Sequence, residues 1–463
     1  MDPRTRMLLE APVGPTILRM ALPNVVVMVF QASIGLIETY FVAKLGLDAL
    51  AGMALVFPLF MLLQMVSAGG MGGGILSAVA RALGGGNKDR ANELVWSAVA
   101  ITIGLGASTT VAALLFGPKL YALMGGRDGS LAAAATYSAL VFSGAIPLWL
   151  FNSFAAIIRG TGNMFFPAAV NAVGAVALIP VSPLLIFGIG PFPHLGVAGG
   201  AVAVLLYYVI GATVFAWYIW SGRGVLKPAL LPPKLAWAPM RDILRVGLTS
   251  SIVSLSTNVS IATATGLAGL VSPAAVAGYG TGARLEYLLV PLVFGLGAPV
   301  AAMVGTAIGA GRNDRALKVA WTGAIIAGGI TEVIGLAAAS FPAAWLSLFG
   351  SEPTMLGVGA HYLHIVGPAY GFFGAGLLLY FASQGAGRVG FAMMIAVLRV
   401  TIAAGGGFLA VTKFGGSTGL FVALALALVV YGLANAAAVA AGVWFKEKRS
   451  APEPKAVPAS QPA

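Results

Sequence analysis

Five ionisable side chains fall inside long apolar stretches of this chain. They are Glu38, Arg284, Glu286, Glu332 and Arg399. A charge at the centre of a bilayer costs about 2.5–3.5 kcal/mol on insertion scales, so such residues mark ion or substrate sites by default. A buried carboxyl can exchange a proton for another cation, because burial favours its neutral form and a nearby positive charge favours its ionised form. These residues therefore predict cation exchange or recognition of a charged solute.

The spacing of these residues separates their roles. Arg284 and Glu286 are two positions apart, so on a helix they point in different directions and need separate partners. Arg399 is the candidate partner of Glu286. That carboxyl is either a substrate counter-charge or second proton site, or one half of a buried structural ion pair. Glu332 has no partner that the sequence identifies, and no role is assigned to it.

Composition places these residues in a membrane protein. Of the 463 residues, 59% are hydrophobic and only 9% are charged, whereas a soluble domain carries about 25% charged residues. Apolar runs of roughly 20 residues, the length that a helix needs to cross the hydrocarbon core, recur throughout. Backbone polar groups in lipid must be satisfied internally, and the alternating pattern of a membrane barrel is absent. The sequence therefore predicts an all-α polytopic membrane protein.

Twelve transmembrane helices are predicted from these runs. Their approximate ranges are 16–41, 50–80, 93–115, 131–158, 165–189, 195–221, 243–270, 274–307, 317–339, 355–383, 389–411 and 418–446.

Basic residues are strongly biased to one side of these spans. With the N-terminus inside, twenty Lys and Arg residues, Arg159 among them, fall in cytoplasmic segments and four fall on the other side. The positive-inside rule then places both termini in the cytoplasm, in a multi-pass protein of the cell inner membrane. The net charge of +12 is thus a topology signal that anionic membrane lipids can reinforce, and nucleic acid is not expected as a partner. The first span is expected to remain as an uncleaved anchor.

Two distant stretches are versions of one another, GGGNKDRANELVWS at 84–97 and GAGRNDRALKVAWT at 309–322. Further matches lie on both sides at this offset or one residue more, such as Gly52 with Gly278 and Gly160 with Gly385. Each half has six spans, an even number, so both copies enter the membrane in the same direction. The halves should form two six-helix lobes related by a pseudo-twofold axis along the membrane normal, with the substrate bound between them. The predicted division is 1–221 for the N-lobe with helices 1–6, 222–242 for a cytoplasmic inter-lobe linker, 243–446 for the C-lobe with helices 7–12, and 447–463 for a disordered cytoplasmic tail.

Several motifs of the chain resemble those of the multidrug and toxic compound extrusion (MATE) family of secondary transporters. The resemblance is carried by ALPNVVVMVFQ (21–31), IETYFVAKLG (37–46), the glycine-basic turns after spans two and eight, and FNSFAAIIRGTGNMFFP (151–167). It implies an antiporter that exports cationic or amphipathic organic compounds in exchange for protons (or sodium) by alternating access of two lobes. Small organic cations or drugs are then the expected cargo, and the chain is expected to act as a monomer.

The resemblance also implies a cation site in the N-lobe. Glu38 matches the position where the family usually has an aspartate, and Asn152 matches a family asparagine. Asn171 and Ser182 lie on span five and could complete the site, although many relatives have an aspartate where Ser182 stands. A single carboxylate favours protons modestly, and with sodium Glu38 would be its ligand. The alternatives are an interfacial Glu38 paired with Lys44, and asparagines that serve as hydrogen bonds between helices.

Other positions are candidates for bending and for the substrate cavity. Pro23 matches a family proline that lets span one bend, and a static kink would explain it equally well. The candidates for a substrate cavity or second ion site are Arg284, Glu286, Tyr287, Arg399, Tyr137 and Tyr370. The acid that some relatives carry on span seven or ten is missing here.

Other classes fit less well. The chain has no Walker turn and no H-E-x-x-H motif, so an enzyme or ATP-driven pump is not expected, nor any cofactor beyond the coupling cation. A major-facilitator transporter also has parallel six-helix repeats. The turn motif that such transporters carry after span two ends in a pair of basic residues, and that pair is missing from this chain. A lipid-linked substrate flippase tends to have extra spans or a cationic central cavity, and only Arg284 and Arg399 could supply that charge.

Overall fold

Every regular element in the described part of the chain is a helix. The computed structural model describes residues 2–234 and 236–445, and describes 27–38 and 414 by their backbone only. The Glu38 side chain and the predicted tail at 447–463 therefore lie outside what is described. The N-terminal half contains α1 Pro3–Glu10, α2 Val13–Ala43, α3 Leu47–Gln64, α4 Gly72–Gly84, α5 Lys88–Leu123, α6 Asp128–Ser143, α7 Ala145–Gly160, α8 Phe165–Phe187 and α9 Val197–Trp220. The C-terminal half contains α10 Trp237–Val271, α11 Pro273–Gly309, α12 Asn313–Ser340, α13 Pro342–Leu346, α14 Pro353–Val366, α15 Tyr370–Gly385, α16 Gly390–Thr401, α17 Gly407–Phe414 and α18 Thr418–Ala440.

The described helices account for the predicted crossings. Ten helical segments are long and apolar enough to cross a membrane, and α6 with α7, bent by 48°, would form an eleventh. Helix α2, 31 residues long, brings the number to the twelve that the sequence predicts. The all-α, two-lobe fold class is confirmed.

Irregular turns occur inside spans where glycine and proline weaken the helix. A π-helical segment, Met65–Met71, joins α3 to α4 within the glycine run, and a second, Ile402–Gly406, joins α16 to α17. A 3₁₀ turn, Gly367–Ala369, joins α14 to α15. Inserted turns of this kind are common at functional positions. Helix α2 continues without a break through Pro23, and the predicted bending there stays a prediction.

Glycines at repeat-related positions make equivalent contacts in the two lobes. A Cβ atom added to Gly52 would lie 2.7 Å from Ala133, and one added to Gly278 would lie 2.7 Å from Val358. Likewise Gly160 packs on the carbonyl of Leu76, and Gly385 on that of Ala301. Within each pair of contacts, both partners are displaced along the chain by the length of the repeat, so the same helix packing occurs twice.

The basic glycine turns lie at one end of the bundle, which we call the turn end. Asn87 caps α5 there, since its side-chain oxygen accepts the Arg90 backbone N–H at 2.9 Å. At the second basic glycine turn, Arg315 donates to the carbonyl oxygens of Leu8, at 3.1 Å, and Ala11. These bonds hold the start of the chain, with the short helix α1, against the C-terminal half.

Candidate functional site

The two lobes are joined at the turn end by polar contacts. The guanidinium of Arg81 on α4 forms a 2.9 Å ion pair with Asp242 on α10, and it donates to the Gly385 carbonyl at 3.4 Å. The Ser77 hydroxyl donates to the same carbonyl at 2.9 Å. Close packing of glycine backbone accompanies these bonds, because Gly84 lies directly against the other lobe. The lobes are thus closed together at this end.

A narrow cavity lies between the lobes next to these contacts. Its walls include three repeat-related pairs, Gly69 with Phe294, Gly73 with Ala298, and Arg159 with Gln384. All three pairs have the sequence offset that relates Gly84 to Gly309, so the two members of each pair occupy equivalent places in the two lobes. This cavity, which we call the axial cavity, therefore lies on the pseudo-twofold axis.

Gln384 connects the lobes across the axial cavity. Its amide nitrogen, which has two N–H groups, shares them among three acceptors: the Gly69 carbonyl of the N-lobe at 3.1 Å, and the hydroxyls of Ser250 at 2.9 Å and Tyr380 at 3.2 Å of the C-lobe. A side chain on Gly73 would collide with the Gln384 amide. The glycine run therefore leaves room for this crossing side chain.

The positive charge in the wall of the axial cavity is Arg159, which the sequence indicates only as a basic residue of a cytoplasmic segment. Arg284 and Arg399 are the sources that the sequence predicts, and neither lines this cavity, whereas Arg159 at the end of α7 does. Helix α7 is drawn inward because Gly160 packs on the main chain at Leu76. The repeat offset that pairs Arg159 with Gln384 is the sequence signal that could have found it.

A polar network in the N-lobe connects two of the predicted cation-site residues. The Asn152 amide donates to Gln64 at 2.9 Å, whose own amide donates to the Tyr208 hydroxyl. The Tyr207 and Tyr208 rings meet edge to face with centroids 5.0 Å apart, and the Tyr207 hydroxyl donates to Asn171 at 3.0 Å. Sequence reasoning did not identify Gln64 or the two tyrosines, because isolated polar residues in apolar helices give no spacing signal.

Two further N-lobe candidates, Ser182 and Tyr137, are buried. Ser182 is 2% exposed, and its hydroxyl makes no hydrogen bond to any described residue. Tyr137 is buried on α6. The side chain of Glu38 lies outside the described residues, so its predicted place beside Asn152 and Asn171 stays a prediction.

The C-lobe contains a second cavity, of about 30 Å³, that includes Glu286 and Arg399 in its walls. The Tyr362 hydroxyl donates to the Glu286 carboxylate at 2.6 Å and lies 3.2 Å from the Tyr370 hydroxyl. Arg399 donates instead to Thr257 at 2.9 Å. The predicted pairing of Glu286 with Arg399 is thus not a direct ion pair in the described part of the chain, and the two charges face a shared space.

Two further candidates for the substrate cavity or second ion site, Arg284 and Tyr287, do not line this C-lobe cavity. The Arg284 guanidinium lies over the Phe349 ring, 4.8 Å from its centroid, and Tyr287 is 55% exposed. Successive helical residues are about 100° apart, so positions near Glu286 turn away from the cavity.

Glu332, left without a role by the sequence, joins two helices. Its carboxylate accepts the Gly371 backbone N–H at 2.7 Å, close to where α15 begins. This bond satisfies a donor that the first turn of a helix leaves free.

These features define a polytopic helical membrane protein with two repeated lobes and a cavity between them. The family model MatE matches residues 23–184 and 247–409, one segment in each lobe at nearly equivalent positions of the repeat. The chain belongs to the MatE family of membrane transporters.

Relatives and solved structures agree with this assignment. The chain is 27% identical over 376 residues to an FAD transporter of Shewanella oneidensis, covering 81% of this chain and 82% of the relative. It is 27% identical over 354 residues to the probable multidrug resistance protein NorM of Thermotoga maritima, covering 76% of this chain and 75% of the relative. A MOP superfamily transporter from Pyrococcus furiosus superposes with a TM-score of 0.86 at 22% identity, over 96% of this chain and all of the other. A structure described as MATE in the bent conformation gives 0.87 at 22% identity, over 95% of this chain and 98% of the other.

Proposed function

We propose that this protein is a secondary active efflux antiporter, which exports cationic or amphipathic organic compounds while protons, or sodium ions, move inward. The observation that carries the proposal is the axial cavity between two repeated lobes that are joined by polar contacts at one end. Such lobes can rock about a site between them and open it to each side in turn. The relatives named as multidrug resistance or export proteins support drug-like cargo.

The basic turns give the orientation of this cycle. The positive-inside rule favours a cytoplasmic turn end, and with it cytoplasmic termini in the cell inner membrane. The contacts of Arg81 with Asp242 close that end. The structure then corresponds to a state closed toward the cytoplasm, and breaking these contacts would admit cargo.

The coupling ion requires a group that binds and releases a cation during the cycle. Glu38 remains the N-lobe candidate, with Asn152, Asn171 and Ser182 as its proposed neighbours. Glu286 is the C-lobe candidate, because a carboxyl held by a tyrosine hydroxyl and facing an arginine across a small cavity can take up a proton without a full set of metal ligands. Hard cations prefer several oxygen ligands, so protons are favoured over sodium as the coupling ion.

The two alternatives considered from the sequence are not favoured. The MatE model matches both halves of the chain, which is not expected for a major-facilitator transporter or for a flippase of a related family. We propose no enzymatic activity and no bound cofactor.

Efflux measurements in proteoliposomes test the proposal. A cationic dye is loaded, a pH or sodium gradient is imposed, and wild type is compared with Glu38→Gln and Glu286→Gln. We expect the pH gradient to drive efflux and Glu38→Gln to reduce it by roughly tenfold, the effect of about 1.4 kcal/mol. Glu286→Gln tests the second site in the same way. Dye efflux driven by a sodium gradient alone would contradict the preference for protons as the coupling ion. Equal efflux in all three proteins would exclude both carboxyls from coupling.

A further inference from the structure

Arg159 is a charged side chain in the axial cavity without a partner among the described residues. No ion pair or hydrogen bond of its guanidinium to another described residue is present. The described side chains that line the cavity include no carboxylate. Asp242 is already paired with Arg81, and Glu286 faces the separate C-lobe cavity. The axial cavity is therefore electropositive.

Gln384, which is equivalent to Arg159 across the pseudo-twofold axis, makes hydrogen bonds that Arg159 does not make within the described part of the chain. Gln384 uses its amide nitrogen for hydrogen bonds to Gly69, Ser250 and Tyr380, so it fastens the lobes together. Arg159 makes no such bond to the described residues. Of the two repeat-related positions, one thus closes the lobes and the other is left available for a ligand.

A guanidinium in this position suits one kind of chemical group. Its planar N–H fork matches a carboxylate or phosphate with two parallel hydrogen bonds, which are stronger than those between neutral groups. A charge in a partly dehydrated cavity is costly unless it is paired. An organic cation would not bind at Arg159 itself, because it would meet a like charge there.

We propose that Arg159 recognises an anionic group, a carboxylate or a phosphate, on the cargo as it enters between the lobes. The inference rests on the proposed export function and adds amphipathic organic anions to its substrate class. Opening of the turn end exposes Arg159 to the cytoplasmic side, where an exporter takes up cargo. Closing of the lobes around Gln384 then narrows the axial cavity and removes room for the bound group.

The test compares two dyes of similar ring skeleton and opposite charge, carboxylate-bearing fluorescein and cationic rhodamine 6G. Their transport into inverted vesicles is measured as a function of dye concentration for wild type, Arg159→Gln and Arg159→Lys. Arg90→Gln is the matched control, since it removes the same charge from an exposed turn. We expect Arg159→Gln to raise the half-saturating fluorescein concentration by about tenfold or more, to leave rhodamine transport unchanged or improved, and Arg159→Lys to restore part of the loss.

The outcomes separate this inference from the proposed function. Wild-type transport of rhodamine without fluorescein would overturn the anionic substrate class and keep the exporter. An equal loss of both dyes in Arg159→Gln, with no rescue by lysine, would assign Arg159 a structural role only. Transport of neither dye by the wild type under either gradient would overturn the proposed function and the inference together.

Discussion

Gly84 and Gly309 are equivalent positions of the two repeats, and each packs against the main chain of the opposite lobe. A Cβ atom on Gly84 would collide with the Thr306 carbonyl, and one on Gly309 with the Arg81 carbonyl. Arg81 and Thr306 are themselves related by the same repeat offset, so the contact is mutual around the pseudo-twofold axis. Backbone cannot yield without moving a whole helix, and the two glycines therefore set how closely the lobes approach.

Replacement of Gly84 by leucine should hold the turn end open. Overpacking typically costs about 1–3 kcal/mol, which corresponds to a shift of roughly 5- to 150-fold in the balance between closed and open forms. The chain has no cysteine, so Thr306→Cys, at a residue that is 1% exposed, gives a single reporter for thiol labelling from the turn end. Labelling should be faster in Gly84→Leu. Gly104→Leu is the control, because nothing lies within 4 Å of a Cβ there; equal rates in both variants would contradict the role of Gly84.

The ion pair between Arg81 and Asp242 should stabilise the same closed form. The two side chains are 17% and 34% exposed, so solvent screening limits the pair to about 1 kcal/mol. We expect Asp242→Asn to accelerate labelling of the Thr306→Cys reporter by up to about fivefold. Arg81→Gln should have the larger effect, since it also removes the hydrogen bond to Gly385. In the double variant the effects should be less than additive, and full additivity would show that the pair does not couple the lobes.

Asn152 should be needed for the hydrogen bonds that it donates. Its amide nitrogen donates to the Gln64 side-chain oxygen at 2.9 Å and to the Ser67 hydroxyl at 2.8 Å. An ionised aspartate at this position has no N–H to donate to either oxygen. We expect Asn152→Asp to lower stability by about 1–3 kcal/mol, measured as a decrease in Tm of the detergent-solubilised protein. Asn92→Asp is the contrasting control, because Asn92 accepts the Lys227 backbone N–H through its oxygen, which aspartate retains. Unchanged stability with faster transport in Asn152→Asp would instead favour Asn152 as a cation ligand.

The start of α14 should be sensitive to acid through Glu352. Hydrogen bonds from the Thr354 hydroxyl and from the backbone N–H groups of Met355 and Thr354 hold the pKa of this exposed carboxyl below its usual value. A lowered folded-state pKa adds stability that is present above the unfolded value of about 4.3 and is lost as pH falls through the folded value. Amide exchange at Met355 should therefore lose protection below about pH 4 in the wild type. The Glu352→Gln variant should show no such step, and a step of equal size in both would exclude the carboxylate as its cause.

Much of the fold follows from the sequence because its signals are local or repeated. The apolar runs predict the crossings, and the repeat offset predicts that Gly160 and Gly385 occupy equivalent places. The contacts of the candidate site do not follow from the sequence, because contacts between helices that are distant in the chain depend on the direction of each side chain. Charge and depth predict that Arg399 pairs with Glu286, yet it donates to Thr257. Charge counting places Arg159 in a cytoplasmic segment, whereas the structure places it in the wall of the axial cavity, next to the close contact of Gly160 with Leu76.

The mismatch of Arg159 and Gln384 across the axis has a consequence for how this architecture could arise. In a symmetric dimer of the six-helix unit, the same residue would occupy both places. Two arginines would then repel one another across the axial cavity, and two glutamines would leave no charge there. Joining the copies in one chain frees the two positions to diverge, so a single polypeptide can place a hydrogen bond between the lobes and a positive charge in the same cavity.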